Sequence, residues 1–488
     1  MKLNKLLEEI DYECINGNAD EEITDVVYDS RKISKGCLFI CIKGLKFDGH
    51  SVCREAAAKG AVAFVTETDV DAPEDVTIIR VEDTRLAMAH IAACWFGYPA
   101  RQLTTIGITG TKGKTTTTYL IKAMLERAGF KTGLVGTIEI DMGSETIAAV
   151  NTTPESFLLQ QYFRKMVDNG LDTVVMEVSS QGLMMHRTAG IEFDYGIFTN
   201  IEPDHIGPGE HKDYEDYLRC KSILFKQCKV ALVNGDDKET DRILMGSACK
   251  AYRFGMNEGN DYRALNIELW KDDANLGIEF DVVGAADMHV RAGLPGMFST
   301  YNALTAIAVC NLMGVDSDAI TAALPDMKVK GRIEITKLQD GAFIIIDYAH
   351  NAMSLQCLLE TLRAYEPGRL ICLFGCGGNR AKARRYEMGE TAGRLADYTI
   401  ITSDNPRDED PEAIMDDIVS GMERTAGKYI RIADRREAIA YAIEEAKKGD
   451  VIVLAGKGHE DYQEIKGVKY PMDERVIISD ILTAKCEK

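Results

Sequence analysis

The run Gly110-Thr111-Lys112-Gly113-Lys114-Thr115-Thr116 constrains this chain more than any other stretch. It follows an apolar segment, Leu103–Ile108, that reads as a strand. It precedes a segment whose apolar residues Leu120, Ile121, Met124, Leu125 and Ala128 recur at helical spacing, with Gly129 closing it. In a strand–loop–helix unit the glycines let loop N–H groups turn inward, and the helix N-terminus favours an anion. Lys114 adds a positive charge and Thr115 a hydroxyl able to hold Mg2+. The position five before Gly113 is Ile108, so this is a shortened form of the eight-residue phosphate loop. A ligand-free Gly-rich turn is the alternative, and the flanking strand and helix weigh against it.

At roughly 150 residues per domain, 488 residues suggest about three domains. Residues 1–99 alternate strands (Cys37–Ile42, Ala63–Val65) with helices (Val52–Lys59, Arg85–Phe96), and Gly97-Tyr98-Pro99 stops the last helix. After the loop come further strands, Thr173–Val178 and Tyr195–Thr199. Shorter strand-like runs follow, Leu265–Trp270 and Gly277–Val282, then a helix over Tyr301–Leu312. From Gly331-Arg332 a third block sets strands Phe343–Asp347, Leu370–Gly375, Tyr398–Ser403, Tyr429–Ile432 and Asp450–Ala455 between helices such as Pro411–Arg424 and Arg435–Ala446. Such alternation predicts an α/β protein of three domains, 1–99, 100–331 and 332–488, with parallel sheets covered on both faces.

Composition excludes several classes. A net charge of −20 is a poor match for nucleic acid or anionic lipid, so neither is expected as a partner. No uninterrupted apolar stretch reaches about 18 residues, and Met1–Lys5 runs into Glu8, Glu9 and Asp11 without an apolar signal segment. The 13 cysteines, unpaired by any Cys-x-x-Cys spacing, fit free thiols. The expectation is a cytoplasmic protein, and a monomer.

Three downstream features bear on chemistry. Glu177 ends an apolar strand in the loop-bearing domain, where ligands of such sheets bind, and reads as a Mg2+ ligand or a helix-capping acid. Thr199-Asn200-Ile201-Glu202-Pro203-Asp204-His205 ends another strand with Asn, Asp and His together. Lys221 lies on the apolar stripe of Asp213–Phe225, with Tyr214, Tyr217, Leu218, Leu224 and Phe225. Burial lowers a lysine's pKa, and a neutral amine can add CO2 to become a carbamate with two oxygens for Mg2+. A lysine whose charged end snorkels to solvent is the other reading.

The runs GTKGKTT, NTTP (Asn151–Pro154), EVSSQGL (Glu177–Leu183), TNIEPDH, DYAHN (Asp347–Asn351), GCGGNR (Gly375–Arg380), DNPR (Asp404–Arg407) and GKGHEDYQ (Gly456–Gln463) occur in this order. Together they closely resemble the Mur ligases over nearly the whole chain. The resemblance implies an ATP-dependent amide ligase of peptidoglycan synthesis, active through an acyl phosphate, with an N-terminal UDP-sugar domain, a central P-loop ATPase domain and a C-terminal Rossmann-like domain. Its implied substrates are UDP-N-acetylmuramoyl-L-alanyl-D-glutamate and meso-diaminopimelate, and its implied cofactors ATP and Mg2+. It assigns Gly110 to Thr116, Asn302, Arg332 and Asp347 to ATP. Glu177, His205, Thr115 and Lys221, as a carbamate, go to the metal, and Lys114, Lys221, Glu177 and His205 to catalysis. Ser30, Asn151, Thr152, Thr153, Ser179 and Arg187 would hold the UDP-sugar substrate. Arg380, Asp404, Asn405, Pro406, Arg407, Gly456 and Glu460 would hold the amino acid.

The residue types agree with that reaction. A carboxylate must be activated before an amine attacks it, and the phosphoryl transfer needs cations such as Lys114 and Arg332 to spread charge. Diaminopimelate carries a distal carboxylate that suits Arg407 and an ammonium that suits Glu460, whereas lysine lacks that carboxylate. The chain departs from the family's usual residues at Leu45-Lys46-Phe47, Met185, Ser299, Ala352 and Ala381. Related activities stay open on sequence: the same reaction with L-lysine or another amino acid, or a non-catalytic nucleotide-sugar binder.

Overall fold

The computed structural model describes residues 1–44, 47–207, 210–272, 275–325, 327–338 and 341–486; the departures at Leu45 and Lys46 lie outside them. The chain divides into two compact units, 1–261 with 305–316, and 262–304 with 317–488.

The first unit holds two sheets. Five strands run in the order Glu13–Asn16, Thr77–Arg80, Ala63–Thr66, Cys37–Ile40, Asp25–Val27, parallel except for the first. Side-chain alternation splits the strands between two cores. Leu38, Ile40 and Val65 pack with Met88 and Ile91 of helix Thr84–Trp95, while Phe39 and Phe64 face Cys53 and Ala56 of the other layer. The helix ends where the sequence predicts, and Tyr98, before Pro99, takes a left-handed φ of 52°.

The second sheet places six parallel strands side by side: Lys250–Gly255, Cys228–Asn234, Phe193–Phe198, Thr104–Thr109, Thr173–Glu177 and Thr132–Val135. Beside this parallel core, two short strands, Glu139–Asp141 and Thr146–Ala148, extend the sheet antiparallel. Their connections are too short for the helical crossover that parallel pairing requires. In register, Glu177 lies opposite Ile108 and Phe198 opposite Thr109, so three neighbouring strands end together around the Gly-rich loop.

The other unit contains an antiparallel meander, Tyr262–Lys271, Leu276–Gly284 and Met288–Ala292. It also contains a six-stranded sheet ordered Glu334–Lys337, Phe343–Asp347, Val451–Ala455, Leu370–Phe374, Tyr398–Ile401, Tyr429–Arg431, parallel except at the first strand. Ile345, Cys372 and Val453 pack against Leu359, Met388 and Ile418, while Ile344, Leu373 and Ile452 pack against Ile439, Ile443 and Ile477. Both faces are covered, which is why these strands read as nearly unbroken apolar runs. The helix expected over Tyr301–Leu312 begins earlier, at Met297.

Candidate active site

The loop lies between strand Thr104–Thr109 and helix Lys114–Arg127. Its glycines are required by shape. Gly113, with φ 87°, leads into the helix, and a Cβ on Gly110 would sit 1.9 Å from Thr199 Oγ1. The strand end at 199–200 braces the loop. Asn200 Oδ1 accepts from Lys112 N (2.9 Å), and Asn200 Nδ2 and Thr199 Oγ1 both donate to Lys112 O. The Thr111 and Tyr217 hydroxyls lie 3.0 Å apart, tying the loop to helix Tyr214–Lys226.

Lys221, on that helix, is 1% exposed, and its Nζ donates to Gly110 O at 2.8 Å. The same carbonyl accepts from Lys114 Nζ at 2.8 Å, so two lysine amines converge behind the loop. The snorkelling reading of Lys221 is therefore overturned: its end turns inward to the loop carbonyl, and its Nζ lies 4.5 Å from the centroid of the Tyr217 ring. Desolvation pushes its pKa well below the ordinary lysine value, and the charge of Lys114 pushes the same way.

Glu177 is 1% exposed and fully engaged. The Thr115 hydroxyl donates to both its oxygens at 3.0 Å; Thr137 N donates to Oε1 (2.8 Å) and the Thr137 hydroxyl to Oε2 (3.0 Å). It caps no helix: Ser179 Oγ accepts from Gly182 N at the start of helix Ser180–Met184. A hydroxyl and a carboxylate, with a carbamate on Lys221, are the hard oxygen donors that suit Mg2+, whereas a free Lys221 ammonium would repel it. The residues fit the metal once that amine carries CO2.

His205 is exposed, unlike this buried group, although its ring lies 6.3 Å from that of Tyr217. Its side chain is 57% exposed and lies near Glu210 (3.3 Å) and Asp204 (4.0 Å). Its φ is 55°, a left-handed value that is sparsely populated outside glycine and frequent at functional turns.

The residues assigned to the UDP-sugar meet the buried carboxylate from one side. Thr152 Oγ1 lies 3.0 Å from Thr137 Oγ1, and Thr153 Oγ1 donates to Glu177 O and accepts from Ser179 N. Arg187 donates to Thr153 O and pairs with Glu155 (2.7 Å), which also holds Arg85. Asn151 is exposed, and Ser30 opens a short 3-10 turn that Asp29 caps.

In the other unit, Asp347 Oδ2 and Oδ1 accept from Ile333 N and Ala349 N. Burial raises its carboxyl pKa against the pull of Arg332, whose guanidinium lies over the Tyr348 ring. Asn302 is buried on helix Met297–Leu312. Beside Tyr348, at 4.7 Å, is the His459 ring, held down to about 4 by burial and then by the charges of Arg332, Lys330 and Arg475.

DNPR forms a second cluster there. Asn405 Nδ2 donates to Glu460 Oε2 (2.8 Å), and Gly456 packs so that a Cβ would meet Asp404 Oδ2 at 2.9 Å. Arg407 has φ 52°; its Nε faces Glu464 Oε2 (3.2 Å) and Nη1 donates to Gly378 O (2.7 Å). Pro406 is buried, and Arg380 is exposed in the Gly375–Arg380 loop. Sequence reasoning passes over Thr137, Lys457 and Glu464, all of which touch assigned residues. Only Lys457, between two glycines in GKGHEDYQ, leaves a trace in the sequence.

Three family models match the chain: the Mur ligase family, catalytic domain over residues 22–95, the Mur ligase middle domain over 108–310 and the Mur ligase, glutamate ligase domain over 331–458. A relative from Caldanaerobacter subterraneus subsp. tengcongensis, named UDP-N-acetylmuramoyl-L-alanyl-D-glutamate–2,6-diaminopimelate ligase, is 44% identical over 100% of both chains. One of the same name from Clostridium botulinum is 42% identical over 99% of each. A solved structure of a ligase of that name superimposes with a TM-score of 0.71 at 28% identity, covering 99% of both chains.

Proposed function

Because this chain belongs to the Mur ligase family, we propose that it is an ATP-dependent ligase joining meso-diaminopimelate to UDP-N-acetylmuramoyl-L-alanyl-D-glutamate. It does so in the cytoplasm, with domain boundaries in the chain near residues 99 and 331. The observation that carries the reading is the convergence of Lys114 and the buried Lys221 on Gly110 O.

The loop N–H groups and Lys114 receive the ATP phosphates, and Lys114 moves from the loop carbonyls to the transferred phosphoryl. Arg332 and Asp347, with Asn302, serve the nucleotide. Thr153, Ser179 and Arg187 orient the UDP-sugar peptide so that its glutamyl carboxylate attacks the γ-phosphorus, giving an acyl phosphate and ADP. The amine then attacks the acyl carbon, and inorganic phosphate leaves. Thr115, Glu177, His205 and the Lys221 carbamate would hold Mg2+, which supplies charge neutralisation of the phosphates when bound. The carbamate forms as the neutral Lys221 amine bonds to CO2 and releases one proton.

At the acceptor end, Nε of Arg407 is engaged with Glu464 and one Nη1 hydrogen with Gly378 O, leaving the Nη1–Nη2 edge to grip a distal carboxylate in paired hydrogen bonds. Glu460 receives the neighbouring ammonium. The test is phosphate release with the UDP-muramoyl dipeptide and a panel of amino acids. Release that depends on diaminopimelate supports the reading, and release with L-lysine alone would replace the substrate.

A further inference from the structure

Lys457 is a charged side chain with no solvent exposure, directly beneath the DNPR segment. Its Nζ donates to Asn405 Oδ1 (2.7 Å), Glu460 Oε2 (3.1 Å) and Tyr462 O (2.5 Å). Three acceptors match its three N–H donors. Asn405 Oδ1 also accepts from Glu464 N at 2.9 Å. With two donors on that oxygen, the amide has one orientation, which directs Nδ2 at Glu460 Oε2. One oxygen of Glu460 is thus held by both Lys457 and Asn405. The other, Oε1, accepts no hydrogen bond among the described residues.

We propose that Lys457 is a positioning residue for the incoming amino acid: it fixes the Asn405 amide and the Glu460 carboxylate so that Glu460 Oε1 is presented to the ammonium of the substrate. The proposal rests on the reading of Glu460 as the ammonium site. Lys457 touches no substrate in this scheme and acts only through its two neighbours. Without it, the Asn405 amide is free to turn over and Glu460 to swing, so the cost falls on capture of the amino acid and spares carboxylate activation.

The two half-reactions separate these effects. Trapping the acyl phosphate with hydroxylamine reads activation with no amino acid present; ligation at varied diaminopimelate reads capture. Lys457→Met should raise the KM for diaminopimelate at least about tenfold while hydroxylamine trapping stays within about threefold of the unmodified enzyme. An unchanged KM, or parallel loss of trapping and ligation, would overturn the proposal. Asn405→Asp guards against a misfolded methionine variant. It keeps the oxygen facing Lys457 and replaces the donor facing Glu460 with a second acceptor, so it should raise the same KM and spare trapping; an unchanged KM again overturns the proposal. Glu460→Gln separates the two levels. If it leaves the KM unchanged, the ammonium-site reading itself fails; if it raises the KM while Lys457→Met and Asn405→Asp do not, only the positioning role falls.

Discussion

Two lysines, each about as buried as the other, sit in opposite chemical settings. Lys221 touches one carbonyl, Gly110 O, which it shares with the cation of Lys114, and its Nζ lies over the Tyr217 ring. Lys457 touches a carboxylate, an amide oxygen and a carbonyl. The first environment disfavours charge and yields an amine ready to react; the second compensates charge and yields a fixed donor. Burial alone therefore says little about a lysine's use, and the acceptor count around its nitrogen decides.

The largest effect expected from this contrast is on turnover. Lys221→Ala should lose about 10²–10³-fold in kcat, the scale for removing one group that stabilises the transition state. Short-chain carboxylic acids should restore part of it by standing in for the carbamate. A fully active Lys221→Ala enzyme would reduce Lys221 to a packing residue and erase the comparison.

Stability should move in opposite directions at the two sites. Lys457→Met leaves Glu460 without its ammonium partner and should cost about 3 kcal/mol, the low end for breaking a buried pair, because Glu460 keeps Asn405 and is 16% exposed. Lys221→Met removes a group whose charged form is penalised, so in CO2-free buffer near neutral pH its Tm should rise. Thermal unfolding of both variants side by side checks the signs, and a fall in both would show that Lys221 is held as firmly as Lys457.

How much of this is legible in sequence differs between the two sites. The loop is contiguous, and the helical period of Tyr214, Tyr217 and Leu218 puts Lys221 on the apolar stripe, although the choice between burial and snorkelling comes only from the inward turn of its amine to Gly110 O. The alternating pattern likewise locates most strands, although the antiparallel edge at Glu139–Ala148 carries too little periodicity to read. Thr137, which holds Glu177, lies in a turn between short strands and reaches the carboxylate only because strand Thr132–Val135 pairs with Thr173–Glu177. Glu464 comes to Asn405 from the hairpin Tyr462–Pro471. Contacts of that kind depend on chain crossings that no local spacing encodes.

Arg407 sharpens the comparison at the substrate end. The unmodified enzyme should prefer diaminopimelate to L-lysine about a hundredfold, since a charged hydrogen bond is worth about 1.5–3 kcal/mol and each 1.4 kcal/mol is tenfold. Arg407→Ala should lose most of that preference by damaging diaminopimelate use far more than lysine use. Measured as kcat/KM for both amino acids, an unchanged ratio in the variant would shift discrimination to another residue of the cluster.

The smallest effect, and the one that isolates Lys221 most cleanly, is on the pH dependence of stability. Its folded pKa is lowered by desolvation and by Lys114, whereas in the unfolded chain it titrates near the ordinary value of about 10.4. Between those two pKa values the unfolded state binds one more proton than the folded state, so stability rises with pH across the window. The slope for one proton is about 1.4 kcal/mol per pH unit. Above about 10.4 both states are neutral at this site and the penalty vanishes; below the folded pKa both are charged and it is constant. Lys221→Met abolishes the difference, so its advantage over the unmodified protein should grow as pH falls from about 10 toward neutrality. Denaturant unfolding at several pH values, in buffers freed of CO2, measures that divergence. Added bicarbonate should shrink it, because carbamate formation replaces a costly ammonium. Parallel pH profiles for the two proteins would mean that Lys221 keeps its proton on folding, and the contrast with Lys457 would then lie in geometry alone.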